Sequence, residues 1–146
     1  MVKVYCEHSA LSSDLRAMQR EGLIELVHFP YDRDSSSRHL KTLAVPSAAL
    51  WTDLNLTWAE DKYAWSDHSG SRHLREIREV LGPLNRRDAL HIDSAYKTGC
   101  RAFVTRDREI LNQRKRLEDL LGIRFFHPDE NTEDLRRFVQ SENYPP

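Results

Sequence analysis

The chain has 146 residues, 39% of them hydrophobic and 31% charged, with a formal net charge of -1 at pH 7. That length is one domain's worth and can bury roughly 70% of the surface an unfolded chain exposes, so no disulfide or metal staple is required. The composition excludes a disordered or collagen-like polymer, and the near-neutral balance excludes a protein that coats DNA, while leaving room for a local basic groove that takes RNA.

Val2–Cys6 alternates and is rich in β-formers, which predicts a first strand. Leu11, Leu15, Met18 and Leu23 follow at near-helical spacing, with Ser9 available as a cap and Gly22 placed as a C-terminal stop. Ile24–Phe29 predicts a second strand, halted by Pro30. Strand, helix and strand within about thirty residues is the length of a parallel βαβ unit. Residues 31–41 are polar and serine-rich and predict an exposed loop. In 42–71 a short helix is expected after Pro46. Trp51, Trp58 and Trp65 recur every seven residues, which reads better as packing beneath a long connection than as a partner-binding stripe.

The second half is more regular. The spacing predicts a helix over 71–81 with Leu74, Ile77 and Leu81 inward, ended by Gly82-Pro83. A helix is expected over 88–98 with Gly99 after it, a strand over 101–105, and a helix over 109–121 closed by Gly122. A strand over 123–126 and a last helix over 132–141, capped by Asn131 or Thr132, complete the series. Helices alternating with short apolar strands predict an α/β fold: a three-layer α/β/α sandwich around a mainly parallel sheet. No repeat or linker divides it, so one domain over 1–146 is expected.

Cys6 and Cys100 lie in apolar runs with no CxxC and are expected to be buried thiols of a reducing cytoplasm. No apolar run of about 18 residues is present, so no membrane span is expected, and the N-terminal run does not have the pattern of a signal peptide.

Sites in open parallel sheets form beyond the carboxyl ends of the strands. Glu7 and His8 follow the first strand, Asp32 and Asp34 the second, and Asp107 follows 101–105; Asp88 opens a helix whose start faces the same edge. Carboxylates crowded together need a cation to remain ionised. All-oxygen ligands suit Mg²⁺ or Mn²⁺ rather than zinc. Such an ion activates water and stabilises charge on a phosphoryl oxygen, which predicts phosphodiester hydrolysis. Each acid also has a purely structural reading: Asp88 and Asp107 are both placed to cap helices. Asp93 lies about 140° around the helix from Asp88, too far to share its ion. His91 is expected to be packed or hydrogen-bonded. Arg106 and Arg108 beside Asp107 are candidates for holding phosphates, whereas Arg114-Lys115-Arg116 reads as a solvated face.

The segment DALHIDSAYKTGCRAFVTRD, Asp88–Asp107, resembles the second half of a PIN domain: an acid opening a small-residue helix, a glycine, an apolar strand, then Thr-x-Asp. VYCEHSAL, Val4–Leu11, resembles that family's first motif, and ILNQRKRLEDLLGIRFFHPDE resembles its usual ending. The resemblance spans roughly 1–32 and 71–141. It implies a PIN-like sandwich with a Mg²⁺- or Mn²⁺-dependent endoribonuclease site acting on single-stranded RNA. Glu7, Asp88 and Asp107 would be the catalytic metal ligands, with Asp32 a candidate further ligand. Ser9 and Thr105 would occupy the small polar positions beside the first and last acids, and Arg106 and Arg108 would bind substrate. The implied partners are RNA and, for a toxin-like member, an antitoxin protein; a homodimer stays open. Four features depart from the family pattern: Glu7 replaces an aspartate, His8 and Asp93 replace residues that are usually small, and no glutamate opens a helix after strand two. Glu7 and the missing second acid support an alternative, a degenerate PIN-like module that binds RNA or a protein without cutting. Another metal-dependent phosphohydrolase is a third reading, against which no glycine-rich phosphate loop or paired aspartates are present.

Overall fold

The computed structural model describes residues 1–28, 42–43, 71–83 and 85–144. In chain order the elements are β1 (Val2–Cys6), a 3₁₀ turn (His8–Ala10), α1 (Ser13–Arg20), β2 (Ile24–His28), β3 (Thr42–Leu43) and α2 (Leu74–Leu81). They continue with α3 (Arg86–Thr98), β4 (Ala102–Val104), α4 (Arg108–Asn112), α5 (Arg114–Leu121), β5 (Arg124–Phe126) and α6 (Thr132–Asn143). The strands form one sheet in the order β3-β2-β1-β4-β5, every neighbouring pair parallel.

Strand parity decides which layer each side chain joins. Tyr5, Val27, Phe103 and Phe125 face one side, where they pack with α2, α3, α4 and α5 through Ile77, Ile92, Ile110 and Leu117. Val2, Val4, Cys6, Ile24, Leu26, Ala102 and Val104 face the other, against Leu15 and Met18 of α1 and Leu135 and Val139 of α6. A sheet buried on both faces requires apolar residues at successive positions rather than alternate ones. That is why AFV in β4 and VYC in β1 carry no charged member. Phe103 lies parallel to the Tyr5 ring at 5.1 Å; burying a side chain of that size contributes roughly 1.5–3 kcal/mol. The α/β sandwich expected from the sequence is therefore the observed architecture.

Element ends differ in instructive ways. Helix α1 starts after Ser12, whose hydroxyl accepts the Leu15 N–H at 3.3 Å, so Ser12 rather than Ser9 is the cap. The single helix expected over 109–121 is two, α4 and α5, separated at Gln113. Helix α3 begins two residues before Asp88, which places that acid inside the first turn. Asn131 precedes α6 without capping it, because its side-chain oxygen accepts the His127 N–H at 3.0 Å instead. Asp32 and Asp34, the helix expected after Pro46, and Trp51, Trp58 and Trp65 lie outside the described residues. Among the described residues no helix is long and apolar enough to cross a membrane.

Cys6 and Cys100 are buried and unbridged. Desolvation pushes both thiols from 9.0 up to about 12. A thiol neutral in the fold but ionised when unfolded favours unfolding as the pH climbs from 9.0 towards about 12. Below that window neither contributes a pH dependence. The thiolate is the nucleophile, so neither cysteine is expected to react with Ellman's reagent in native protein at pH ~8, and both are expected to react in concentrated guanidinium chloride. Rapid native labelling would show that the apolar layers around them are open.

Candidate functional site

The sheet order creates a switch point. From β1 the chain turns to β2 on one side, and from β4 it proceeds to β5 on the other, so the loops after β1 and β4 diverge. The crevice between such strands is where ligands bind in open α/β sheets. Glu7 and Thr105 are the first residues past these two strands.

The backbone welds the two loops together. The Glu7 N–H donates to the Val104 carbonyl at 3.2 Å, which extends the β1–β4 pairing by one bond, and the Glu7 carbonyl accepts the Ala10 N–H at 2.9 Å. Thr105 is fully buried, and its hydroxyl acts in two directions. It donates to Glu7 Oε2 at 2.6 Å and accepts the Asp107 N–H at 3.0 Å. Asp107 is in turn the N-cap of α4, its Oδ1 accepting the Glu109 N–H at 2.8 Å. One buried hydroxyl thus ties two of the expected acids into a single array. The capping role read from the sequence for Asp107 is real and coexists with its place in this array.

Asp88 stands in the first turn of α3. A helix leading into a parallel strand begins at the sheet's carboxyl edge, so Asp88 shares that edge with Glu7 and Asp107. The N-cap position before it belongs to Asn85, whose amide donates to the Leu81 carbonyl at 2.8 Å rather than capping α3. Among the described residues no three His, Cys, Asp or Glu side chains converge closely enough to hold a metal ion. Glu7 and Asp107 are therefore brought together through Thr105, Asp88 is at the same edge without completing a three-ligand group, and Asp32 is outside the described residues.

Ser9 lies in the 3₁₀ turn, and its carbonyl accepts the Arg106 Nε–H at 2.7 Å. The same guanidinium pairs with both Asp129 carboxylate oxygens, the longer bond at 3.4 Å. Arg108 makes a matching two-pronged pair with Glu130, one bond at 3.0 Å. Each pairing displaces the carboxylate's titration. The Arg106 hydrogen bond holds Asp129 below the ordinary carboxylate range, the Arg108 hydrogen bond does the same for Glu130, and Glu130 raises Arg108 in return. Sequence reasoning identified the arginines and missed the acids that hold them. It also missed His127, a buried residue whose Nδ1 accepts the N–H groups of Asp129 and Glu130 at 3.1 and 3.2 Å. An unprotonated Nδ1 is required for both bonds, which fixes the loop bearing the two acids.

Two further polar residues of α3, His91 and Asp93, are buried and bonded within the fold. His91 is buried and its Nδ1 pairs with the Tyr5 hydroxyl at 2.5 Å, with the His28 ring stacked 5.4 Å away. Asp93 is fully buried and accepts from both the N–H (3.0 Å) and the hydroxyl of Ser71. Residues 114–116 are exposed on α5, a solvated face as expected. Compared with known protein families, with curated proteins and with solved structures, the chain gives no match.

Proposed function

We propose that this chain is a PIN-like, cytoplasmic endoribonuclease that hydrolyses phosphodiester bonds of single-stranded RNA with Mg²⁺ or Mn²⁺. The observation that carries the reading is the Glu7–Thr105–Asp107 array at the sheet's switch point, with Asp88 at the same edge. The donors fit a hard divalent cation in kind, since all are carboxylate oxygens. In number the described residues fall short of three converging ligands, so Asp88 or Asp32 would have to complete the set. When bound, the ion supplies an activated water and charge stabilisation at a phosphoryl oxygen. The chain's own residues perform the rest. Thr105 holds the Glu7 carboxylate in one orientation, the first turn of α4 holds that of Asp107, and Arg106 and Arg108 supply guanidinium groups for the phosphates on either side.

The test is cleavage of single-stranded RNA with Mn²⁺ or Mg²⁺, against an EDTA control. Metal-dependent cleavage that EDTA stops is the expected result, and none at millimolar metal overturns the reading. The shortfall in converging acids favours a second reading, an RNA-binding module that does not cut. Thermal melting with Mn²⁺ separates the two. Metal at 100 times its Kd stabilises by about 2.7 kcal/mol, or roughly 5–10 °C for a domain of this size; a chain that holds no metal shows no shift.

A further inference from the structure

We infer that Asp129 and Glu130 are built-in occupants of the phosphate subsites formed by Arg106 and Arg108, and that an RNA backbone binds by displacing them. The inference rests on the ribonuclease reading and extends it to how the site is kept closed to weak anions. Three observations converge. First, the two guanidiniums flank Asp107 at the switch point, and both are engaged two-pronged by carboxylates from one short loop after β5. Carboxylate and phosphate present the same oxygen spacing to a guanidinium fork, so a site shaped for one accepts the other. Second, the loop is held in register from beneath rather than lying there by chance. The buried His127 ring accepts the N–H groups of both acidic residues, and Asn131 accepts the His127 N–H. Third, all four charged side chains remain substantially exposed, between 39% and 60%. Exposed pairs are weak and screened, so a polyanion that also contacts neighbouring cations outcompetes them, whereas an isolated anion does not.

The arrangement also follows from the topology. Strands β4 and β5 are adjacent and end level, with Val104 paired to Phe126. Their following loops therefore run side by side, and the order Arg-Asp-Arg in one meets His-Pro-Asp-Glu in the other. Arg106 additionally holds the Ser9 carbonyl, so its guanidinium stays at the site when Asp129 departs.

The experiment is fluorescence anisotropy of a labelled oligouridylate in EDTA over a series of salt concentrations, so that no strand is cut. The proteins are wild type, D129N, E130Q, D129N/E130Q, the double variant with R106Q/R108Q added, and E76Q/E79Q as an equal charge change on α2. D129N/E130Q is expected to bind about tenfold tighter than wild type. Two newly available phosphate contacts steepen its log Kd against log salt slope by roughly 1.4. Each single variant gives part of the gain, and adding R106Q/R108Q removes it. E76Q/E79Q is expected to change affinity by less than about twofold and to leave the slope alone. If wild type binds and D129N/E130Q binds no tighter than E76Q/E79Q, the acids are not occupants of phosphate subsites, while the ribonuclease reading stands. If no protein in the set binds RNA, this inference falls, and cleavage with Mn²⁺ decides the ribonuclease reading separately.

Discussion

Asp107→Asn is expected to reduce RNA cleavage by at least ~100-fold while moving the melting temperature by only a few degrees. The separation follows from the two roles of this side chain. As N-cap of α4 it offers Oδ1 to the Glu109 N–H. Asparagine caps as well as aspartate does, so the hydrogen bond survives. What is lost is a unit of negative charge, worth about 0.3–1 kcal/mol at a helix N-terminus for stability. On the proposed reading the same charge would position a divalent cation, and misplacing reacting groups by about 1 Å already costs ~100-fold. Asp107→Ala removes cap and charge together, adding roughly 1 kcal/mol of instability. Thr105→Val provides the companion test. It leaves both carboxylates chemically intact but removes the hydroxyl that donates to Glu7 and accepts from the Asp107 N–H. Losing the two hydrogen bonds of this hydroxyl costs about 1–3 kcal/mol, and cleavage should fall through kcat rather than KM, with Thr105→Ser restoring most of it. Initial rates alongside thermal melts make the comparison. A D107N variant that cuts at the wild-type rate removes this residue from the catalytic set.

The fold was readable because the physical signals for it are local. Apolar runs at successive positions announce strands covered on both faces, as AFV of β4 shows. Gly99 sits at φ 83°, in the left-handed region an L side chain rarely adopts, and so marks the end of α3 without reference to anything distant. The division between α4 and α5 had no such signal. Gln113 is neither glycine nor proline, and its N–H bonds back to Ile110 as one helix ends while its carbonyl accepts the Leu117 N–H as the next begins.

Legibility of the site followed the same rule. Glu7 and Asp107 could be found because each lies just past a strand, and the parallel sheet brings such positions to one edge, whereas Thr105 was singled out by its place in the Thr-x-Asp motif. The Thr105 hydroxyl as the physical link between the acids depends on the pairing of β1 with β4 in one register, Cys6 opposite Val104, and that register is a tertiary fact. The partnership of Arg106 with Asp129 and of Arg108 with Glu130 is likewise invisible along the chain. The pairs are separated by more than twenty residues and meet only because β4 and β5 are neighbours. Once the strand order is known, the alternating charges of the two loops become a readable pattern.

Asp93 shows how a departure from a family pattern acquires a meaning, and it carries the largest stability effect expected here. Asp93→Ala should destabilise the chain by about 2–4 kcal/mol, a substantial part of the roughly 5–15 kcal/mol typical of a domain. The carboxyl is fully buried in α3 and accepts both the N–H and the hydroxyl of Ser71, three residues before α2. Ser71 Oγ in turn accepts the His73 N–H at 3.1 Å, so Asp93 organises the entry to α2. Alanine removes the acceptor of both Ser71 donors and leaves a void where the fully buried carboxyl stood. Asp93→Asn should fall between wild type and alanine. Its single carbonyl oxygen can take one Ser71 donor, while its NH₂ confronts the other. Ser71→Ala keeps the N–H bond to Asp93 but removes both hydroxyl bonds, the one donated to Asp93 and the one accepted from the His73 N–H, and should cost about 1–2 kcal/mol. Urea denaturation of wild type, both single variants and the double variant closes a mutant cycle. A coupling energy of about 0.5 kcal/mol or more between the two sites is expected for direct partners. Additive effects, or a cost below about 1 kcal/mol for Asp93→Ala, would mean that the entry to α2 is held by something other than this carboxyl group.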